Sequence, residues 1–211
     1  MNTEINCNTK RLYVDYNGII TDKSYITICK YLEMCIRKHH FNEIYFCLSS
    51  VGGSVNSGLE IYNYLKGLNG VKIIMHNYGF VASIANIIFL AGQERYANSN
   101  ATFLLHGITS ELRGSYYTHQ LEECLSNMKI NEERLQNIYI EQTTLKKEEI
   151  NKLFQSGEAK NVEYAKDKKI ITDIKELSID INVPKILFLQ KAIPLPNGNT
   201  TLDIETITFN I

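Results

Sequence analysis

Ser83 and His106 are the side chains of this sequence whose types and settings could carry chemistry. Ser83 lies in Gly79-Phe80-Val81-Ala82-Ser83-Ile84-Ala85, with small residues around it and an apolar, helix-compatible run after it. A hydroxyl at such a junction either caps the helix, its commonest work, or is held out as a nucleophile. In the second case the N–H of Ile84, at the positive end of the helix, meets the oxyanion formed on attack at a carbonyl. His106 ends the run Ala101-Thr102-Phe103-Leu104-Leu105 and precedes Gly107. A strand-end histidine is most often a satisfied structural residue; within hydrogen-bond reach of Ser83 it would be the base that a serine nucleophile needs. Gly52-Gly53 sits between an apolar run and a helical pattern, where glycine lets the backbone turn and approach a ligand. Such a pair either just turns the chain or frees an amide, that of Gly53, as the other half of an oxyanion hole.

The elements around these residues read as one α/β domain, because short β-rich runs alternate with helical patterns. Leu12 to Asp15 and Ile19 to Ile20 predict a first, edge-like strand region, and Thr21-Asp22 opens an amphipathic helix bearing Ile26, Tyr31, Leu32, Cys35 and Ile36. Glu43 to Leu48 is the next strand, Asn56 to Leu68 a helix, and Val71 to Met75 a β-branched strand, completing a βαβ unit. A turn at Gly79, a helix over Ser83 to Ala91 and two short strands at Glu94 to Tyr96 and Thr102 to Leu105 follow. From Ser115 to Gln142 a long helical pattern places Tyr117, Leu121, Cys124, Met128, Leu135 and Ile138 on one stripe. That stripe is either intramolecular core or a subunit interface. Residues 176–211 form a C-terminal extension whose alternating Thr201 to Phe209 reads as an exposed or added strand, docking on a neighbour.

Composition narrows the function classes. The 211 residues are 44% hydrophobic and 21% charged, with 12 Gly and 3 Pro, as in an ordered globular chain. Lys plus Arg is 22 against 23 Asp plus Glu, a net charge of −1, so there is no basic footprint for nucleic acid or an anionic membrane. No apolar run approaches the roughly 20 residues of a membrane helix; Ile84 to Ala91 is short and interrupted by Asn86. The polar start, Met1 to Lys10, does not read as a secretion signal. Five cysteines without a C-x-x-C pair, three of them (Cys35, Cys47, Cys124) in apolar patterns, point to a reducing cytoplasm. Neither they nor the five scattered His make a zinc set, so no metal and no cofactor is expected. His76, after a β-branched strand, reads as packed, and His39-His40, after a helix, as solvated.

Taken together, Ser50-Val51-Gly52-Gly53-Ser54-Val55 with Gly58 and Ile61-Tyr62, Gly79-Phe80-Val81-Ala82-Ser83, Ala91-Gly92, Arg95-Tyr96, Asn98 and Phe103-Leu104-Leu105-His106 resemble the proteolytic subunit of the Clp protease family. The similarity extends more weakly from Tyr13 to Asp173, about three quarters of the chain. It implies a ClpP/crotonase-like α/β fold of repeated ββα units over residues 1–175 and serine peptide-bond hydrolysis. It also implies a ring-shaped homo-oligomer of two stacked heptamers, served by an AAA+ unfoldase that feeds it unfolded protein. Position by position, Ser83 matches the nucleophile, His106 the general base and the amides of Gly53 and Ile84 the oxyanion hole. The Ser115 to Gln142 helix matches the helix that interleaves the rings.

Departures from the family pattern accompany the match. An ungapped alignment of Thr143 to Lys152 puts Leu153 where the family carries the Asp of its triad, and losing that Asp can cost on the order of 10⁴ in turnover. Asn151, Glu149 or a carbonyl are the candidate substitutes. The family's later Glu-Ala-x-x-x-Gly-Leu-x-Asp pattern is blurred into Tyr164 to Thr172. Little chain precedes Leu12 to form the family's axial loop, and the tail beyond Lys175 has no counterpart. Two further readings are therefore carried: a non-catalytic Clp-like ring subunit, and a crotonase-fold protein binding an acyl thioester at the same oxyanion geometry.

Overall fold

The computed structural model describes residues 10–195 and 199–211. The polar amino terminus read as lacking a secretion signal lies, up to residue 9, outside the described residues. In chain order the elements are β1 (Arg11–Asn17), α1 (Asp22–His39), β2 (Glu43–Ser50), α2 (Val55–Gly67), β3 (Lys72–Ala82), α3 (Ala85–Phe89), β4 (Glu94–Ala97) and β5 (Thr102–Leu104). Then come α4 (Thr118–Gln142), α5 (Lys147–Ser156), β6 (Ala159–Lys160), α6 (Val162–Asp167), β7 (Asp173–Ile174), β8 (Lys185–Pro194) and β9 (Thr200–Phe209).

The strands join in one mixed sheet ordered β6-β5-β3-β2-β1-β8-β9, with β4 between β3 and β7 off that path. The central strands pair in parallel, as βαβ crossovers require, while β6 on β5 and β9 on β8 are antiparallel. Helix α1 starts where Thr21 and Ser24 form a reciprocal capping box. It ends at His40, in the left-handed region, with Arg37, Lys38 and His39 in the last turn, where cations complement the helix dipole. Ile28, Leu32 and Cys35 are buried along it, whereas Ile26, expected on the apolar face, is 60% exposed. The main core lies between the helices and one sheet face, with Leu12, Val14, Phe46, Leu48, Ile73 and Met75 fully enclosed. On the other face Tyr13, Tyr45, Cys47 and Ile74 are covered by Leu177, Ile179 and Val183 from the segment leading to β8.

Four expectations are corrected. β1 is no edge: it pairs with β2 on one side and with β8 on the other, because the C-terminal segment returns to the same sheet. The tail, expected to dock on a neighbour, forms the β8–β9 hairpin and buries Ile186 and Phe188 in the main core. No turn breaks the chain at Gly79; β3 runs on to Ala82 through an irregularity in its pairing with β2 between Leu48 and Ser50. Asn77 stabilises the bend, accepting from Gly79 N at 3.0 Å and donating to Thr102 O at 2.9 Å. After the bend β3 leaves β4 and pairs with β5, which carries the chain to His106. Lastly, the predicted helix over Ser83 to Ala91 is only Ala85–Phe89.

The α4 stripe divides. Leu135, near its C-terminal end, is a core residue, and Ile138 packs half-buried against the core. Tyr117 and Leu121, at its start, are 74% and 44% exposed, so the intramolecular reading holds for the C-terminal end alone.

His76 is fully buried: Asn98 Oδ1 accepts from its Nε2 at 2.8 Å, so Nδ1 is left to accept from Tyr45 Oη at 2.6 Å. Burial first of all holds its pKa below the ordinary imidazole value. Below about pH 6.5 the unfolded chain therefore takes up a proton that the folded chain refuses. The stability tied to this residue is complete above that pH and declines as pH falls toward the folded pKa. The expected result is a melting temperature that drops between pH 7 and pH 5 more steeply in the parent than in His76→Gln. Equal slopes in thermal melts of the two proteins would refute the assignment.

Candidate active site

Ser83 stands where β3 ends and α3 begins, with φ of +56°, a conformation a β-bearing residue adopts only when its surroundings impose it. They do so on three sides. Ser83 N donates to Leu104 O at 2.9 Å, continuing the β3–β5 ladder. Asn86, 1% exposed, donates through Nδ2 to Ser83 O at 3.1 Å and to Leu104 O at 2.8 Å. Gly52, with φ of +96°, lies so close that a Cβ there would sit 2.5 Å from Ser83 Cβ. The helix-cap alternative for Ser83 is not what the structure has: the N-cap is Ile84, without a side-chain cap bond. The five-residue α3 also carries little macrodipole, so what an anion would meet here is individual N–H groups. Ile84, at the N-cap, has an N–H without an acceptor in its own helix.

The Gly52-Gly53 loop is fastened to the segment after β1. Ile20 N donates to Gly52 O at 2.7 Å, Ser54 N donates to Ile20 O at 2.8 Å, and Ile20 and Gly53 form a parallel bridge. Ser50 Oγ donates to Gly18 O at 2.6 Å and accepts from Gly52 N at 3.1 Å. Gly53, Ser83, Ile84 and His106 line one small cavity of about 50 Å³. Its other walls are mostly apolar: Val55, Ile108, Leu135, Tyr139 and Phe154. The four residues singled out in the sequence thus share one enclosure. Among the described residues no hydrogen bond joins Ser83 to His106; such bonds are often open in unliganded enzymes and tighten around substrate.

His106 is oriented by main chain. Its Nδ1 lies 2.6 Å from Gly107 O, and since a carbonyl can only accept, Nδ1 carries a proton, which in the neutral ring leaves the lone pair on Nε2. Of the candidate substitutes for the absent Asp, the carbonyl is the one in place. Asn151 Oδ1 instead accepts from Gln136 Nε2 at 2.8 Å, and Glu149 binds Lys168 Nζ at 2.6 Å and Lys146 N at 3.1 Å. Leu153 is buried in α5 as an apolar side chain. Among the described residues no group of His, Cys, Asp and Glu is placed to hold a metal ion.

Asn86 and the peptide after His106 are the parts of the site that sequence reasoning passed over. Asn86 did leave a trace, as the one polar residue in the run from Ile84 to Ala91. It clamps the carbonyl of Ser83 to that of Leu104, two residues before His106. Asn86→Ala is therefore expected to cost about 1–2 kcal/mol of stability and to slow covalent capture of Ser83 about tenfold. Thermal melts and timed labelling check both; a labelling rate unchanged in the variant would deny Asn86 that role.

A model of the Clp protease family matches residues 4–177. The chain belongs to the Clp protease family. Over 102 residues it is 34% identical to an ATP-dependent Clp protease proteolytic subunit from Bigelowiella natans, covering 46% of this chain and 50% of the relative. Over 95 residues it is 30% identical to the ATP-dependent Clp protease proteolytic subunit 3 of Streptomyces avermitilis, covering 44% of this chain and 39% of that one. The chain thus matches half or less of the length of these relatives. A ClpP1 mutant from Listeria monocytogenes superposes with a TM-score of 0.66 at 21% identity, over 78% of this chain and 91% of the other, which establishes the Clp fold. The β8–β9 hairpin lies beyond the residues the family model matches.

Proposed function

We propose that this Clp family chain is a serine peptidase that cleaves peptides or unfolded proteins inside a ring-shaped homo-oligomer. The observation that carries the reading is the enclosure of Ser83, His106, Gly53 and Ile84 in one cavity, with Ser83 strained and free of a capping role. Ser83 Oγ attacks the substrate carbonyl while Nε2 of His106 takes its proton. The oxyanion is held by the N–H groups of Gly53 and Ile84, and the proton passes to the leaving amine. Water, activated by the same imidazole, then hydrolyses the acyl-enzyme. The apolar wall fits a small apolar side chain next to the scissile bond, and the reaction calls for no metal or cofactor.

Assembly is supported by Leu121 and Leu125, exposed one turn apart on α4 as an apolar pair that a second copy would cover. Two stacked heptamers, fed by an AAA+ unfoldase when the substrate is a folded protein, are the arrangement this family membership suggests. A cytoplasmic setting agrees with Cys29 and Cys47, thiols that burial pushes up to about 12 and so keeps unreactive. Among the described residues no helix is long and apolar enough to cross a membrane.

Leu153 in place of an acid favours the second reading, a ring subunit without turnover. The deciding experiment is incubation with a fluorophosphonate followed by intact mass and peptide mapping. One adduct on Ser83 is expected; its absence would leave the non-catalytic subunit standing. Sedimentation velocity reads the ring separately, and a monomer would remove that part of the proposal.

A further inference from the structure

The peptide unit between Gly107 and Ile108 touches two functional groups at once. Its carbonyl accepts from His106 Nδ1 at 2.6 Å, and its N–H donates to Oε1 of Glu132 on α4 at 3.2 Å. Both bonds belong to one planar, conjugated group, so fixing the N–H fixes the C=O. A carboxylate on the N–H also polarises the amide and makes its oxygen a better acceptor, as in other hydrogen-bond chains. The approach depends on residue 107 having no side chain, because a Cβ there would lie 2.9 Å from Glu132 Oε1. On the α5 side, Gly107 N donates to Phe154 O at 3.0 Å, so the turn is held from two helices.

We infer that Glu132 is the positioning carboxylate of this site, acting on His106 through the 107–108 peptide in place of the acid that position 153 lacks. The inference rests on the serine peptidase reading. The chain of contacts is Glu132 carboxylate, Ile108 N–H, Gly107 C=O and His106 Nδ1–H, which leaves Nε2 as the base toward Ser83. Glu132 touches neither nucleophile nor substrate; its effect is on which tautomer the imidazole adopts and where the ring points. In this respect it does the work of an orienting Asp with one peptide interposed.

The test compares the parent with Glu132→Ala and Glu132→Gln as full-length protein. Glu132→Ala is expected to lower kcat for a fluorogenic peptide, and the rate of fluorophosphonate labelling, about tenfold or more with KM unchanged. Glu132→Gln, which keeps an oxygen for the Ile108 N–H but not the charge, falls between. A role confined to fastening α4 would instead lower the melting temperature of both variants and leave kcat in place, and that result overturns the inference. A second readout does not need turnover: magic-angle-spinning NMR of ¹⁵N-histidine protein, with His106 assigned by its loss in His106→Gln. The parent should show the Nδ1–H tautomer, and Glu132→Ala a rise in Nε2–H. An unchanged tautomer overturns the inference whatever the labelling rate. Absence of labelling in the parent would strike the peptidase reading, and the tautomer comparison would still decide the part played by Glu132.

Discussion

Ser83→Ala is expected to abolish fluorophosphonate labelling and to lower peptide turnover on the order of 10⁶-fold, with His106→Ala close behind, since nucleophile and base fail as a unit. The two losses should not add, and the double variant should match either single one. The comparison measures how far the main-chain orientation of His106 makes up for Leu153. A triad with its Asp removed loses on the order of 10⁴ because the imidazole takes the wrong tautomer. Here Gly107 O holds the proton on Nδ1, the tautomer the proposed mechanism requires, so the parent is expected to retain readily measured turnover before either substitution. Labelling that persisted in Ser83→Ala would move the nucleophile elsewhere.

Phe188→Ala in the C-terminal hairpin is expected to lower stability by about 3–5 kcal/mol, which for a chain of this length is a fall in melting temperature of roughly 6–20 °C. Phe188 is fully buried, with its ring 6.5 Å from that of Tyr16 and 6.1 Å from that of Tyr31, so its loss opens a cavity between β1, β8 and α1. The effect should reach the site. Gln190 accepts from Ile19 N at 2.8 Å and donates to Ile19 O at 3.0 Å, and the next residue, Ile20, fastens the Gly52-Gly53 loop. A tail that merely hung from the Clp fold would give melting curves unchanged by Phe188→Ala, and slowed labelling of Ser83 in the same variant would trace the route from the hairpin to the Gly52-Gly53 loop.

Local order in the sequence already fixed much of what matters. Thr21 before an amphipathic run specified α1, an aromatic-rich apolar run specified β2, a β-branched run specified the start of β3, and the joint spacing of the motifs from Ser50 to His106 pointed to the family. These are short-range patterns, or a combination of motifs whose joint spacing is specific. The misjudged elements depended on long-range pairing. Whether β1 is an edge depends on β8, some 170 residues later, and whether Gly79 ends a strand depends on β5 offering a partner after the bend.

What only the tertiary structure decided is how the imidazole is held. Position 153 reads apolar, and the carboxylate at 132 looks like one more charge on a long helix. Only when the turn after His106 is pinned between α4 and α5 do that carboxylate, a side-chain-free residue at 107 and a main-chain carbonyl fall into line. The reason is physical: residue types determine which groups can donate, accept or attack, but a hydrogen bond needs a distance and a direction, and across elements far apart in the chain those are set by packing.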